Sequence, residues 1–517
     1  MSEKEFLGRL GFGANPFQFT NADEEEHLQS YFVPPPYFDS VWGDPTSPKS
    51  HVIFAPRGGG KSAQRKMIEY KSQDSDVFVL RYDRFEHLST SDLKELTVDY
   101  HLRNIVSLLL LGFLLEFRQR GVHASAFSRV EREQIEALCD YYLGRITRFE
   151  AVRASEALRT LSSKAKQFLK DWSGPLNALA AAALSSQGIG VGKIDSIQQS
   201  AGQTVEGPAK AHLEVVRDLL RSIGFGSIYI LIDKVDETPQ TGNNAEASFM
   251  LVKPLLRDLE LLQIKDIAFK FFLWDNLKTY YGKFGRPDRL QQFELRWDEE
   301  HINRMLSKRL EAFSGEKVRN LSQLTNADLA EPLQKVVVLF ASGSPRDMIR
   351  VCQDIISEQL QINPGSDQIG LEAIVKGIST FSSRRANELL QAQPQVLREL
   401  IKVGQVNFTA NYVANDVFKI DANAARNKIR GWVDAGVVEK IGELSSGGRP
   451  IYHYAVSDIR IAKAMLAQLD LIQFIKQKTR VCPKCRALLI RDWDTHPAQS
   501  CHQCSSAFLL QSTASSA

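Results

Sequence analysis

Four short apolar runs punctuate the first 280 residues of the chain. Residues 51–54 (HVIF), 77–81 (VFVLR), 227–234 (SIYILIDK) and 269–274 (FKFFLW) are too short for helices, and they are rich in β-branched and aromatic side chains. Continuous apolar runs of this length are the pattern of strands buried on both faces of a sheet. Stretches with helical periods separate them, which predicts an α/β core with helices on both faces. The strand at 77–81 is expected beside the one at 51–54. A further apolar run, 336–340, falls within a helical period and is assigned to a helix.

The spacing of the runs is uneven. Roughly 140 residues lie between the second and the third, far more than a crossover connection needs. Residues 92–173 read as several helices, with Leu108 to Leu111 and Phe113 to Leu115 supplying apolar faces, whereas 185–207 is rich in glycine and serine and reads as a loop or short hairpin. The richest apolar run, 105–115, is read as a buried helix, because no stretch reaches the roughly 20 apolar residues of a membrane span. The N-terminal residues are charged early, so neither signal peptide nor membrane anchor is expected, and the chain reads as cytoplasmic.

Composition changes this picture little. At 517 residues the chain is too long for one core and calls for three to five domains. The net charge of +3, from 64 Lys plus Arg against 61 Asp plus Glu, excludes a general nucleic-acid coat but permits a local basic face. Of the six cysteines, Cys139 and Cys352 stand alone and read as small buried hydrophobes, as His101, His123 and His212 read as packed or surface histidines. The other four cysteines form two CxxC pairs near the C-terminus, a pattern of metal binding.

The first strand runs into Ala55-Pro56-Arg57-Gly58-Gly59-Gly60-Lys61-Ser62 and then a helical stretch. Strand, glycine loop, helix is the context of a Walker A phosphate loop. Arg57, Gly58, Gly59, Gly60, Lys61 and Ser62 are the candidate nucleotide ligands. The glycines let successive N–H groups face phosphate, Lys61 reaches the β/γ-phosphates, and the Ser62 hydroxyl serves Mg²⁺. Ala55 stands where the strict motif has glycine. It only starts the loop, so the departure changes little.

The third run ends in Asp233, at the sheet edge where ligands bind. Asp233 is the candidate Mg²⁺-site acid. Asp236 and Glu237 follow, with Glu237 either polarising the attacking water or simply occupying a helix start. Asn276, after the fourth run, is a candidate γ-phosphate contact or a plain turn residue. Arg289, with Arg286 second, is a candidate finger toward a neighbouring subunit's nucleotide, or part of a basic surface loop.

Taken together, these motifs resemble the AAA+ and STAND ATPases over roughly residues 10–360. The run from Asp233 to Glu237 looks like a STAND-type Walker B motif. Gly343-Ser344-Pro345-Arg346 resembles the sensor 2 motif of the origin-recognition/Cdc6-like branch, which implies that Arg346 projects from a helical lid onto the nucleotide. Asn15-Pro16-Phe17, the acidic run from Ala22 to Glu26, and Phe32-Val33-Pro34-Pro35 resemble a bacterial, defence-associated ATPase family.

Two modules follow. Helical stretches at 396–401, 409–418 and 422–435, then strands at 437–441 and 451–454, give the order of a winged helix, and the phrase from Ile429 to Val456 resembles such domains. Arg426, Lys428 and Arg430 on the third helix and Arg449 in the hairpin turn are the candidate DNA contacts, although many winged helices pack on protein instead. Cys482, Cys485, Cys501 and Cys504 are the expected ligands of a structural zinc ion, with His496 and His502 spare. Lys484, Arg486 and Arg491 tilt the ribbon toward nucleic acid.

The expected fold class is therefore an α/β P-loop NTPase core with a helical insertion and lid, then a winged helix and a small zinc ribbon. Its segments run 1–91, with the P-loop, 92–210 (insertion), 211–300 (rest of the core), 301–390 (lid), 391–460 (winged helix), 461–510 (linker helix and ribbon) and 511–517 (disordered tail). The expected function is an ATP-binding and hydrolysing switch that acts on nucleic acid, DNA before RNA, as a homo-oligomer with ATP, Mg²⁺ and Zn²⁺ as cofactors. The alternative is an ATP-gated scaffold of an antiviral defence system that binds a separate effector protein.

Overall fold

The computed structural model describes residues 2–85, 93–122, 124–143, 208–444, 451–493, 498–501 and 504–509. The segment 185–207, the hairpin turn with Arg449, His123, His496, His502 and the tail lie outside these residues. The chain forms two compact units, residues 34–296 and residues 1–33 with 297–517. The first 33 residues thus pack with the later part of the chain.

The 34–296 unit is built on a five-stranded, all-parallel sheet, β1 (His51–Ala55), β2 (Val77–Tyr82), β3 (Ser227–Ile232), β4 (Ile267–Trp274) and β5 (Gln291–Glu294), in the order β2-β3-β4-β1-β5. This corrects one expectation: β2 pairs with β3, and β1 lies between β4 and β5. β4 thus separates the phosphate-loop strand from the acidic strand, and its C-terminal end lies between theirs. The first three strands are buried throughout, which the continuous apolar runs anticipated. β5 was not anticipated, because as a half-exposed edge strand of sequence QQFE it carries no apolar run.

Around the sheet pack α1 (Lys61–Ser72), α2 (Val98–Gln119), α3 (Arg129–Leu143), α4 (Ala209–Ser222) and α5 (Ala245–Arg257). α2 extends well beyond the apolar run at 105–115, and its Val98–Phe117 part is long and apolar enough to cross a membrane by composition alone. Most of that window is nevertheless buried, among residues such as Leu213, Val216 and Leu220 of α4. His101 on α2 is fully buried and donates from Nε2 to the Leu251 carbonyl (2.8 Å), while Nδ1 accepts from Tyr82 Oη at 3.0 Å. Burial pushes its pKa down to about 4, so it is a neutral packing residue.

Lys270 of β4 is the least comfortable buried group. It has no exposed surface and donates to the Lys49 carbonyl at 2.6 Å, with His51 Nδ1 at 3.2 Å. Burial lowers its pKa to about 7, and burial together with Lys270 lowers that of His51 to about 4. Both folded-state values lie below the unfolded ones, so the unfolded chain holds more protons and stability rises with pH through each window. The Lys270 window runs from about 7 to the ordinary lysine value near 10.4, and between pH 6 and 9 it contributes on the order of 2–3 kcal/mol. Urea unfolding at the two pH values is expected to show this gain, and Lys270→Met is expected to be more stable at pH 6 with a flatter profile. An unchanged slope in the variant would refute the assignment.

In the second unit, α6 (Glu299–Ser314), α7 (Leu333–Ala341), α8 (Pro345–Ile362) and α9 (Leu371–Leu389) form a helical assembly. The run at 336–340 is helical, as expected. The N-terminal segment docks on α6. Buried Arg309 reaches Glu25 at 2.8 Å and the Pro16 carbonyl, and it stacks on Tyr31 at 4.8 Å. Asn15 caps the backbone N–H of Phe17 at 2.8 Å. Much of the opening motif is thereby explained as a clamp on α6.

The chain continues through α10 (Pro394–Val403), β6 (Asn407–Thr409), a short helical stretch over 410–418, α11 (Ala422–Asp434), and a hairpin of β7 (Val438–Leu444) and β8 (Ile451–Val456). β6 joins the hairpin to make a three-stranded antiparallel sheet in the order β6-β8-β7. Then come α12 (Ile459–Met465), α13 (Leu471–Lys478), the pair β9 (Thr479–Val481) and β10 (Leu488–Ile490), and the pair β11 (Ala498–Ser500) and β12 (Ala507–Leu509).

Candidate nucleotide and metal sites

The loop after β1 needs all three of its glycines. Gly58 and Gly60 have φ of +75° and +93°, the left-handed region that other residues resist. At Gly59 a Cβ would lie 2.9 Å from the Pro56 carbonyl oxygen and 3.2 Å from its ring. The loop delivers the chain into α1, whose first residue is Lys61. The Lys61 ammonium donates to the carbonyls of Ala55 and Pro56 at 3.2 and 3.3 Å. Burial lowers its pKa, opposed by the negative charges of Asp236, Asp233, Glu237 and Asp275. Lys61 is thus the cationic centre of an acidic rim.

That rim is the C-terminal edge of the sheet. Asp233, 1% exposed, follows β3, and its Oδ2 accepts from Ser62 Oγ at 2.9 Å. It also accepts from Arg65 Nε at 2.9 Å, while Oδ1 accepts from the Lys234 backbone N–H. A hydroxyl and a carboxylate thus face each other at the start of α1. These are hard oxygen donors that suit Mg²⁺, which binds through few protein ligands and keeps its waters. Asp236 is buried and accepts from Arg57 Nε at 2.9 Å, and the Arg57 guanidinium lies 4.0 Å from the Trp274 ring centroid. Two residues read as nucleotide ligands therefore hold each other. Glu237 and Asn276 are both exposed, Asn276 in the turn after β4. Asp275, which was not singled out from the sequence, is the residue of that turn whose charge bears on Lys61.

Arg289 lies elsewhere. It precedes β5, and β5 starts level with the N-terminal end of β1 in the register His51↔Gln291. The loop leaves the other end of β1, about 13 Å away at strand rise, so Arg289 stands at the opposite sheet edge from its own phosphate loop. It pairs with Asp288 at 3.3 Å and lines a cleft of about 320 Å³ with Lys49, His51 and Gln291. Arg286 pairs with the same aspartate at 3.1 Å.

Arg346 belongs to the other unit. Gly343 takes φ of +72°, Ser344 caps α8 by accepting from the Asp347 N–H, and Pro345 is the first helical residue. A helix start accounts for three residues of the motif, and exposed Arg346 is the one left without a local task. Its neighbour Asp347 is 1% exposed, and its Oδ2 accepts from Arg385 Nε at 3.0 Å and Arg460 Nη1 at 2.5 Å. One carboxylate thus ties α8 to α9 and to α12, the helix that follows the β7–β8 hairpin.

On α11, Ala425, Ile429 and Trp432 turn inward, and Arg426 and Arg430 are exposed. The Lys428 ammonium is bonded to Glu399 of α10, which also accepts from Trp432 Nε1 at 2.7 Å, and it lies 5.0 Å from the Phe418 ring. Arg491 requires a correction. It is 2% exposed and reaches Glu439 of β7 at 3.4 Å, so it docks the ribbon and is not available to nucleic acid.

The Sγ atoms of Cys482, Cys485, Cys501 and Cys504 lie within 4.8 Å of one another, with Cys482–Cys504 at 3.7 Å and Cys485–Cys501 at 3.5 Å. Tetrahedral zinc with bonds of about 2.3 Å places sulfurs about 3.8 Å apart, so the set fits Zn²⁺. The two knuckles repeat one geometry. Cys482 N–H donates to the Ala487 carbonyl as Cys501 N–H does to that of Ser506, and Arg486 and Ser505 take matching φ of +62° and +56°. Four thiolates would close the shell of a bound zinc ion, which would suit a structural role. Purified protein is expected to carry one zinc per chain by mass spectrometry. Cys501→Ser should lose it and become protease-sensitive around 479–509, because such sites contribute on the order of 10 kcal/mol to a small module. Full zinc content in the variant would contradict the assignment.

No family model matches the chain. A mitochondrial translation factor, ATP22 of Eremothecium gossypii, is 33% identical over 91 residues, which is 17% of this chain and 12% of that protein's length. Solved structures to which the chain is similar include the Aeropyrum pernix ORC1 protein in complex with DNA (9% identity, 87% of this chain and 96% of that one, TM-score 0.35), the ORC2 protein of the same organism (10%, 86% and 98%, 0.37) and Cdc6p from Pyrobaculum aerophilum (10%, 88% and 98%, 0.30). Likeness at this level transfers neither fold nor function, and the functional reading stands on the residues of the chain itself.

Proposed function

We propose that the chain is an ATP-binding, slowly hydrolysing switch that changes conformation on DNA. The observation that carries this reading is the meeting of Ser62 and Asp233 at 2.9 Å beneath a loop whose three glycines are all required. Backbone N–H groups of the loop and Lys61 hold the phosphates, and Ser62 and Asp233 hold Mg²⁺, which would neutralise phosphate charge. Glu237 polarises the attacking water, with Asn276 and Asp275 nearby in sequence to the end of β4. Arg346 senses the nucleotide from the lid. Arg289, facing away from its own loop, serves a neighbouring subunit, so the active form is an oligomer.

The DNA assignment rests on the 391–460 segment, which we read as a winged helix: three helical stretches, β6, and the β7–β8 hairpin. Arg426 and Arg430 present charge from α11, and Arg449, which lies outside the described residues, remains a further candidate contact. Lys428 is left out of this surface. The reading is tested by DNA binding at increasing salt. Affinity should fall steeply with salt, and the Arg426→Ala/Arg430→Ala pair should weaken binding about tenfold and flatten the salt slope. An unchanged slope would remove α11 from the interface.

A further inference from the structure

Arg65, four residues after Lys61 on α1, has no exposed surface. Its Nε donates to Asp233 Oδ2 at 2.9 Å, the same oxygen that accepts from Ser62, and its Nη1 is bonded to Glu69 Oε1. Glu69 is 5% exposed and Asp233 is 1% exposed. A dry triad of two carboxylates and one guanidinium thus sits directly behind the Ser62–Asp233 pair. The phosphate-loop motif requires none of it, and none of the expected site residues includes Arg65 or Glu69.

We infer that Arg65 is a positioning residue that sets how strongly the Ser62–Asp233 pair takes up a divalent cation, and that Glu69 tunes it. The inference rests on the nucleotide-site reading above. A planar guanidinium bonded through Nε fixes the orientation of the Asp233 carboxylate against Ser62. It also places a permanent positive charge at hydrogen-bond distance from the oxygen that must attract the metal. Within a buried site such a charge is poorly screened, so it opposes metal binding. Glu69 draws part of that charge away. The triad therefore holds the Asp233 carboxylate aligned while keeping its pull on the cation moderate. Nucleotide would then arrive with its metal, and the empty protein would not retain Mg²⁺.

The test uses the full chain and two variants, of which the first is a near-isosteric exchange and the second also shortens the Arg65 side chain. Glu69→Gln removes one of the two carboxylates paired with Arg65, so more of the arginine charge falls on Asp233. Arg65→Gln with Glu69→Gln removes both charges and frees Asp233. Binding of a fluorescent ATP analogue is followed while Mg²⁺ is varied, and Mn²⁺ binding is read by electron paramagnetic resonance. Glu69→Gln is expected to raise the half-saturating Mg²⁺ concentration about tenfold, and the double variant to lower it about tenfold. Analogue affinity in chelator should change less than twofold, and thermal melting shows that each variant is folded. Equal Mg²⁺ midpoints in all three proteins would overturn the inference and leave the triad as packing. Absence of analogue binding by the unsubstituted chain would instead overturn the nucleotide-site reading, and this inference with it.

Discussion

Lys61→Ala is expected to weaken ATP binding about a hundredfold while leaving the fold intact. The ammonium sits where burial disfavours its charge and four carboxylates favour it. Among the described residues its hydrogen-bond partners are the Ala55 and Pro56 carbonyls. Losing a charge-assisted contact to phosphate costs about 3 kcal/mol in a partly dry site, which is roughly the hundredfold effect. Fluorescent-analogue titration reads the affinity, and thermal melting without nucleotide reads the fold. An affinity within threefold of the parent would show that Lys61 is not the phosphate ligand.

The largest stability effect is expected at Asp347. Replacing it with alanine leaves Arg385 and Arg460 facing each other across a buried space, without the carboxylate that both donate to. Each arginine keeps a second carboxylate, Arg460 with Asp458 at 2.9 Å and Arg385 with Glu388 at 3.0 Å, so the cost is expected at the lower end of the range for breaking a buried ion cluster, about 3 kcal/mol. Chemical denaturation is expected to show a loss of about that size. Arg384→Gln is the control: Arg384 lies on α9 beside Arg385 and pairs with Asp354 of α8 at 2.7 Å, but it is exposed, so a loss under about 1 kcal/mol is expected. Equal effects of the two substitutions would show that Asp347 has no special place. Because Asp347 adjoins Arg346 and reaches α12, a milder Arg460→Lys substitution is also a route to separating nucleotide response from DNA response.

Buried strands were legible because their apolar runs are continuous, and the phosphate loop was legible because its geometry admits few residue types. The order of the strands was not, since nothing in the 77–81 run distinguishes a neighbour of β1 from a neighbour of β3. β5 escaped notice because an edge strand carries no apolar signature. The same limit applies to single charges. Lys428 and Arg491 look like phosphate ligands in sequence, and their partners Glu399 and Glu439 lie 29 and 52 positions away. Arg65 shows the converse. It reads as one more basic residue on a helix, and only the fold brings it to Asp233, 168 positions later.

The central claim is that nucleotide chemistry at the phosphate loop answers to DNA. ATP turnover by the purified chain, with and without double-stranded DNA at low and moderate salt, and with Lys61→Ala alongside, tests it most directly. The expected result is a DNA-dependent rise in turnover that weakens with salt and is absent in Lys61→Ala. Turnover that is absent or indifferent to DNA, in protein that still binds ATP, would contradict the claim and turn attention to a partner protein as the target of the switch.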